Sequence, residues 1–314
     1  MNTILSVASL LVRFKTPSGN VTAVNDVSFN IKKGETLAIV GESGCGKSTV
    51  ARSILALPGK NAVISGTVRY KDKNLLTLSK KEMTALRGSA ISIILQNPDL
   101  ALNPVIPIGR QIIEPLKHHF KIDSRRAIEI SGKALEQMGF ERIDDLLKKY
   151  PFQLSGGMNQ RILIAAAMLT NPELIIADEP TRALDPSLKD RVKEELVKAK
   201  RENGCTMLLI THDLGLASAL ADRVAVMYAG ELVEITGTGI FFREPLHPYS
   251  KMLLKSLPGK GFCSNVPPVF PSMIRPQSGC RFYPRCSFKT PECGELEPAV
   301  TGIEKGEVRC LLYA

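Results

Sequence analysis

The chain has 314 residues, 44% apolar and 23% charged, which is enough for one large domain with an appendage and a normal core. No apolar run approaches the roughly 20 residues of a membrane-spanning helix, so an integral membrane protein is not expected. The net charge of +10 suits a nucleic acid, a nucleotide or an anionic membrane face. Because no basic and aromatic residues interleave along the chain, no nucleic-acid partner is predicted.

The amino-terminal segment is predicted to form antiparallel strands. Residues 1–35 alternate between apolar and polar side chains, and Pro17-Ser18-Gly19-Asn20 has the composition of a turn. The first residues lack the basic stretch and the small-residue cleavage site of a signal peptide. We therefore expect a strand at this end and a chain that stays in the cytosol.

A phosphate-binding loop is predicted directly after the first buried strand. Residues 36–40 are an apolar run typical of a parallel strand, and residues 41–48 match the pattern G-x-x-x-x-G-K-[ST]. A helix is predicted from residue 48 to about residue 57. Glycines let backbone N–H groups close around phosphate oxygens at the positive end of such a helix, so the loop predicts a nucleotide site.

Two side chains of this loop carry most of its chemistry. Lys47 is expected to bridge the β- and γ-phosphates of ATP, and the Ser48 hydroxyl to coordinate Mg²⁺. Cys45 is expected to contribute only its backbone. The predicted ATP-binding residues of the loop are Gly41, Ser43, Gly44, Cys45, Gly46, Lys47, Ser48 and Thr49.

Helices and short buried strands alternate beyond the loop. Residues 125–140 and 158–169 have helical periodicity, whereas residues 174–177 and 207–210 are apolar strands that end at polar residues. A helical insert is expected between Gln96 and Tyr150. The predicted fold class is therefore α/β, with a mostly parallel sheet, an antiparallel β subdomain and a helical subdomain.

Two carboxylates follow the strand at residues 174–177. Ligands of parallel sheets bind at the carboxyl edge, which is where Asp178 and Glu179 fall. Asp178 is expected to hold Mg²⁺, directly or through water. Glu179 is then expected to polarise the attacking water as the general base.

A second glycine turn, Leu154-Ser155-Gly156-Gly157-Met158, opens the helix that begins near Met158. Ser155 is a natural N-cap, and the two glycines allow close backbone approach to an anion. Since the first loop already holds one ATP, this helix end is expected to meet the γ-phosphate of a nucleotide on another chain.

The carboxyl-terminal part has a different composition. Residues 245–298 contain ten prolines, and four of the seven cysteines fall at the end of the chain: Cys280, Cys286, Cys293 and Cys310. Four thiolates suit an iron–sulfur cluster or Zn²⁺, and a reducing cytosol disfavours disulfides. The wide spacing favours a cluster, most simply [4Fe-4S], with Zn²⁺ and unliganded thiols as alternatives. Cys263 lies outside the pattern.

Taken together, the glycine loop, the serine-glycine turn and the Asp-Glu strand resemble an ABC transporter ATPase subunit with the P-loop NTPase fold. The resemblance implies that Gln96 is the Q-loop glutamine, which touches Mg²⁺, and that His212 is the switch histidine at the γ-phosphate. It implies that Ala183-Leu184-Asp185 is the D-loop at the dimer interface. Arg182 departs from the usual threonine there. Phe14 is the candidate for stacking on adenine, and Gln160 joins the Ser155-Gly156-Gly157 set that acts in trans.

Residues 245–258 and the cysteines of the tail resemble the ATPases of oligopeptide, dipeptide and nickel permeases, and favour the peptide branch. The resemblance implies a cassette over residues 1–240, with its helical subdomain at 97–165, and a Cys- and Pro-rich extension over 241–314. It implies a peptide importer on the cytoplasmic face of the membrane. The expected partners are a paralogous ATPase in a heterodimer, two transmembrane permease subunits and an extracytoplasmic solute-binding protein.

Three alternatives to a peptide importer stay open at the level of sequence. One is the same motor role in a nickel or metal-chelate importer. Another is a soluble ABC ATPase of translation or DNA repair, although such proteins usually have two cassettes or a long coiled-coil insertion. The third is a nucleotide-binding scaffold without hydrolysis, which the presence of both Glu179 and His212 argues against.

Overall fold

A computed structural model describes residues 2–17, 19–57, 59, 61–182, 184–256 and 278–314. The chain divides into two compact units. The first unit comprises Met1–Ile4, Ile31–Glu35 and Thr77–Leu209, and the second comprises Leu5–Asn30, Thr36–Leu76 and Ile210–Ala314. No helix in the described ranges is both long enough and apolar enough to cross a membrane.

Strands and helices alternate along most of the chain. The strands are β1 (Thr3–Thr16), β2 (Gly19–Lys32), β3 (Thr36–Val40), β4 (Ala62–Tyr70), β5 (Lys73–Asn74), β6 (Ile91–Ile94), β7 (Leu174–Asp178), β8 (Thr206–Thr211), β9 (Arg223–Tyr228), β10 (Glu231–Gly237), β11 (Val300–Ile303) and β12 (Gly306–Arg309). The helices are α1 (Lys47–Ile54), α2 (Lys80–Leu86), α3 (Ile108–Phe120), α4 (Ser124–Gln137), α5 (Ile143–Lys148), α6 (Gly156–Met168), α7 (Pro186–Asn203), α8 (Leu214–Leu220), α9 (Thr238–Arg243) and α10 (Pro248–Lys255).

The second unit contains the antiparallel sheet that the amino-terminal pattern predicts. Its strand order is β2-β1-β4-β5, and β1 runs antiparallel to β4 with Leu5 opposite Tyr70. The register shifts between Ala8 and Leu11, which marks a bulge in the long first strand. The alternation of buried and exposed residues along these strands fits a sheet with one covered face.

A second sheet of the same unit carries the glycine loop. Its strands follow the order β11-β12-β10-β9-β3, in which β3 and β9 are parallel. All five residues of β3 are buried, as expected for a parallel strand covered on both faces. The tail adds to this sheet, because β12 pairs antiparallel with β10 and places Val308 opposite Glu234.

The first unit contains the helical insert and the carboxylate strand. Strands β6 and β7 are parallel, with Ile94 opposite Ala177. The insert consists of α3, α4 and α5, and α4 is capped by Asp123, whose side chain accepts the Arg126 N–H. Helix α6 begins two residues earlier than its periodicity predicts, because Ser155 caps it.

Helix α10 in the second unit is capped by a buried histidine. His247 is 1% exposed, and its Nδ1 accepts the N–H of Tyr249 at 3.0 Å. The backbone N–H groups of Leu246 and His247 donate to one carboxylate oxygen of Glu234, at 3.0 and 2.7 Å. Burial lowers the pKa of His247 to about 3, with a smaller contribution from the charge of Lys251. Burial also raises the pKa of Glu234.

The histidine cap predicts a loss of stability in acid. His247 stays neutral in the folded chain but takes up a proton near its ordinary pKa once unfolded, so its contribution to stability is complete above that pKa and is lost as pH falls toward about 3. The expected loss is about 1.4 kcal/mol per pH unit. His247→Asn keeps a cap acceptor without the titrating ring, so the variant should lack this component of the slope.

The measurement is urea unfolding of wild type and His247→Asn at about pH 7 and about pH 5. Between these two pH values, wild type should lose roughly 2 kcal/mol more unfolding free energy than the variant. Glu234 titrates in the opposite sense, because its raised pKa contributes stability at low pH that is lost as pH rises through the folded value. Both proteins retain Glu234, so the comparison isolates the histidine. Equal pH slopes would contradict the assignment.

Candidate active site

The backbone of the glycine loop is closely enclosed in the second unit. Gly41, Gly44 and Gly46 have φ values of 156°, 84° and 110°, a region that L side chains rarely adopt. A Cβ atom on Gly41 would collide with the carbonyl oxygen of Met227, and one on Gly46 with that of Ala23. The loop conformation therefore requires glycine at positions 41 and 46.

Lys47 lies across the loop at the start of α1. It is only 6% exposed, and its Nζ donates to the carbonyl oxygens of Gly41 at 2.8 Å and Glu42 at 3.0 Å. The buried Lys47 ammonium therefore lies beside loop backbone at which only glycine fits. This arrangement suits the phosphates of a nucleotide. Ser48 and Thr49 follow in the first turn of α1, and both are half-buried.

Cys45 is a buried part of the same loop. Burial raises the pKa of its thiol above the ordinary value, although the charge of Lys47 opposes this. Its carbonyl oxygen accepts the N–H of Gly230 at 2.8 Å. The side chain is therefore a neutral packing group, and the backbone ties the loop to the turn between β9 and β10.

The carboxyl-terminal tail also contacts the glycine loop, which the sequence patterns did not predict. Arg285 forms two hydrogen bonds to the carboxylate of Glu42, each 2.8 Å long. The N–H of Glu42 donates to the hydroxyl of Tyr249 at 3.0 Å. Two features of the sequence could have suggested this contact. Glu42 is an acidic residue inside a phosphate-binding loop, and Arg285 is a basic residue of the tail.

Two further predicted residues lie in the second unit. Phe14 is half-buried on β1, opposite Ala62 of β4. His212 is exposed directly after β8. Asp213 holds the segment after it, because its N–H donates to the Thr211 hydroxyl at 2.9 Å and its carboxylate accepts the Leu216 N–H at 3.1 Å.

The carboxylates lie at the end of a fully buried strand in the first unit. Asp178 has no exposed surface, and Glu179 is 7% exposed. Glu179 has a φ of 51°, a left-handed conformation that costs a non-glycine residue of order 1–3 kcal/mol. Gln96 lies two residues beyond β6, and the register of β6 with β7 brings it to the same sheet edge as Asp178. Asp178 and Gln96 therefore share the carboxyl edge of a parallel strand pair, the edge at which such sheets bind ligands.

The serine-glycine turn caps α6 in the first unit. The Ser155 hydroxyl accepts the N–H of Met158 at 3.3 Å. Ser155 and Gly156 are exposed, and Gly157 is half-buried. Gln160 has no exposed surface, and its amide donates to the carbonyl oxygen of Leu95 at 3.4 Å. The turn is thus open to a partner, whereas Gln160 links α6 to the residue before Gln96.

Asp185 caps the following helix, α7. Its carboxylate accepts the Ser187 hydroxyl at 2.7 Å and the Leu188 N–H at 3.1 Å, and these bonds, the first above all, lower its pKa. Arg182 is exposed. Ala183, the first residue of the expected D-loop, lies outside the described residues.

Three of the four tail cysteines are buried enough for the pKa of their thiols to rise. Burial raises the pKa of Cys280 to about 11, with smaller contributions from Cys310, Cys293 and Cys286. Burial also raises the pKa of Cys286 and Cys310. Among the described residues, no group of three or more His, Cys, Asp or Glu side chains is placed to hold a metal ion. The expected metal ligands are therefore not arranged as a metal site in the described part of the chain. Cys263 lies outside the described residues.

Comparison with known proteins identifies the class of this fold and site. Residues 24–182 match the family described as ABC transporter. The solved dimer of MJ0796, a bacterial ABC transporter cassette, superimposes with a TM-score of 0.68 at 28% identity, covering 74% of this chain and 98% of that one. The chain is thus an ABC-cassette ATPase, which uses ATP and Mg²⁺ and works with membrane permease subunits. The predicted fold class is confirmed.

The tail and the full-length relatives identify the branch. Residues 233–293 match the family described as oligopeptide/dipeptide transporter, C-terminal region. The oligopeptide transport ATP-binding protein OppD of Haemophilus influenzae is 40% identical over 100% of this chain and 98% of its own. The dipeptide transport ATP-binding protein DppD of Bacillus subtilis is 43% identical over 96% of this chain and 92% of its own. The chain belongs to the oligopeptide/dipeptide ABC transporter ATPase family.

Proposed function

We propose that this chain is the ATP-hydrolysing motor of an ABC importer that takes up oligopeptides or dipeptides. The identity to OppD and DppD over nearly the whole length of both chains carries this proposal. The match of residues 233–293 to the oligopeptide/dipeptide C-terminal region favours peptides over nickel or metal chelates.

The proposed roles are those that the family resemblance implies for the matching side chains. Lys47 and the glycine-loop backbone bind the phosphates, and Phe14 stacks on adenine. Ser48, Gln96 and Asp178 would hold Mg²⁺, which neutralises charge on the β- and γ-phosphates when it is bound. Glu179 serves as the general base. His212 donates a hydrogen bond to the γ-phosphate.

The partner set includes a second, paralogous ATPase. Ser155 and Gly156 are exposed at the capped end of α6, which supports contact with a nucleotide held by that partner. Gln160 remains assigned to this trans set, although its buried amide must rearrange to reach a partner. Asp185 acts at the same interface by fixing the start of α7.

The permease side of the complex is supported by exposed apolar residues just beyond Gln96. Leu100 is 74% exposed and Val105 is 76% exposed. Such side chains are suited to burial against another protein. We place the chain peripherally on the cytoplasmic face of the membrane, on two transmembrane subunits, with a solute-binding protein on the opposite side.

The domain boundaries complete the proposal. The cassette spans residues 1–240, with its helical subdomain at 97–165, and the extension spans 241–314. The family matches at 24–182 and 233–293 fall on either side of this division apart from a few residues. Strand β12 of the proposed extension pairs with β10 of the proposed cassette, which supports an extension that packs on the cassette.

Transport by the reconstituted complex tests the function. The chain is assembled with its partner ATPase and permease subunits in vesicles, and uptake is measured with the co-purifying solute-binding protein. ATP-dependent uptake of di- or oligopeptides is expected. Uptake of a nickel chelate but of no peptide would show that the chain serves a metal-chelate importer. ATP hydrolysis without binding to the permease subunits would contradict a role in an importer.

We also propose that Cys280, Cys286, Cys293 and Cys310 bind one [4Fe-4S] cluster that stabilises the tail. The number of thiols and their wide spacing support this ligand set. Thiolates must form and move to ligand distance, so metal binding is coupled to local folding. Zn²⁺ is the alternative occupant.

Metal analysis of anaerobically purified protein tests the cluster. Iron and acid-labile sulfide in about fourfold excess over the chain are expected, and Cys286→Ser should lower both. Cys263→Ser is the control and should retain them. Stoichiometric zinc without sulfide would replace the cluster by a zinc site, and full metal retention in Cys286→Ser would contradict the ligand assignment.

A further inference from the structure

We propose that Arg285 of the tail is a positioning residue of the ATP site, which acts by neutralising Glu42 of the glycine loop. The inference rests on the proposed ATPase role. Arg285 lies between Cys280 and Cys286 in sequence and 243 residues from its carboxylate partner. Its effect on nucleotide binding would therefore operate through the loop and not through contact with the reacting atoms.

Glu42 connects the tail to the phosphate-binding lysine. Both of its carboxylate oxygens accept from Arg285, and the ion pair is largely shielded, with the arginine side chain 8% and the glutamate side chain 26% exposed. The Glu42 N–H donates to the Tyr249 hydroxyl, and its carbonyl oxygen accepts from Lys47 Nζ. Every polar group of Glu42 is thus engaged, by the tail region on one side and by Lys47 on the other.

Packed aromatic rings hold the guanidinium in place. Arg285 lies 5.7 Å from the centre of the Tyr228 ring and 5.9 Å from that of Phe282. The Tyr228 and Tyr249 rings are 4.6 Å apart, and those of Tyr249 and Phe282 are 5.4 Å apart. The guanidinium thus lies over two buried rings of a packed aromatic group, which favours one fixed orientation of the planar fork.

A second ion pair fastens the same tail segment. Arg281 Nε lies 2.9 Å from Glu231, with both side chains about one-tenth exposed, and Arg281 also donates to the carbonyl oxygen of Ala229. The residue after Ala229, Gly230, donates its N–H to Cys45 of the glycine loop. The segment from Arg281 to Arg285 is thus anchored independently of the Glu42 pair, so loss of that pair alone should not release the tail.

The charge of Glu42 gives the pair its importance for ATP. A carboxylate within a loop that binds a polyphosphate repels the ligand unless a cation compensates it. Arg285 supplies that cation through two charge-assisted bonds. Removing the arginine should weaken ATP binding, whereas removing the carboxylate should not. If the ion pair served only to hold the tail, removing Arg285 and removing the Glu42 carboxylate would change ATP affinity equally.

The test is a double-mutant cycle on the full-length chain, with Arg285→Gln, Glu42→Gln and the combination. Nucleotide affinity is measured with a fluorescent ATP analogue, and KM and kcat in the assembled transporter. Arg285→Gln should raise the dissociation constant and KM about tenfold, within the usual range of coupling between sites, with kcat at saturating ATP nearly unchanged. Glu42→Gln should bind at least as tightly as wild type, and the double variant should return toward wild type.

The matched control is Arg309→Gln, which breaks another tail ion pair, to Asp26, at a side chain that is 11% exposed. It should leave ATP affinity unchanged. Equal weakening by Arg285→Gln and Glu42→Gln without rescue in the double variant would overturn the inference, as would wild-type affinity in Arg285→Gln. If Arg285→Gln does not fold, a weakened Glu42→Gln overturns the inference, and a Glu42→Gln that binds as tightly supports it. Absence of hydrolysis by wild type would instead contradict the proposed function.

Discussion

Glu179→Gln is expected to preserve ATP binding and to lower turnover by roughly 10²–10⁴-fold, the usual contribution of a positioned general base. Glutamine has almost the same shape as glutamate but cannot accept a proton from the attacking water. The variant should therefore bind ATP and remain in a closed dimer. The measurement is steady-state hydrolysis in the assembled transporter, together with nucleotide retention by the purified complex.

A glutamate at the opposite end of the same strand provides the control. Glu173 is exposed directly before β7, so Glu173→Gln changes the charge of the same element without touching its carboxyl edge. Its turnover should stay near wild type. Turnover of Glu179→Gln within a few-fold of wild type would contradict the assignment of Glu179 as the base, because hydrolysis should be slow once the general base is lost.

The sequence was most informative where local chemistry dictates local structure. The short, mainly apolar run of β3 leads into a loop that needs glycine, so the bounds of the strand and of the loop could both be predicted from sequence. The same holds for β7, where an apolar run ends in Asp178, and for Ser155, whose hydroxyl caps α6 as its residue type predicts. In each case the cause lies within a few residues of its effect.

The contacts that sequence patterns could not predict join distant parts of the chain. Arg285 meets Glu42 across 243 positions, and no periodicity or spacing encodes that pairing. The pairing of β12 with β10 likewise follows from which sheet edge is available, not from composition. Gln160 is a smaller example, because burial against Leu95 depends on the packing of α6 and not on its motif.

Backbone strain at Glu179 also lies beyond sequence patterns. Its left-handed φ of 51° is unfavourable for glutamate, so a propensity argument would place a glycine or asparagine there. Glu179 is proposed above as the general base, a role that requires a carboxylate at this position. The conflict between propensity and chemistry at one residue is what would be expected of a catalytic group.

Gly157→Asp is expected to abolish hydrolysis by the assembled dimer while this chain's own affinity for ATP stays nearly unchanged. The glycine follows the exposed, capped start of α6, so an added carboxylate would meet the phosphate of a nucleotide held by the partner. Like charges there oppose closure, and a turnover loss of about 10²-fold or more is expected, the scale for loss of one electrostatic contact to a reacting group.

Two preparations separate action in trans from action in cis. ATP affinity is measured on the isolated chain, and cooperative closure and turnover on the heterodimer. Gly132→Asp is the control, because it adds a carboxylate to α4 of the same unit, where a Cβ makes only an ordinary contact of 3.5 Å with Ile143. It should leave both readouts near wild type. Loss of ATP binding by the isolated, folded Gly157→Asp chain would place the turn at this chain's own nucleotide and refute the trans assignment.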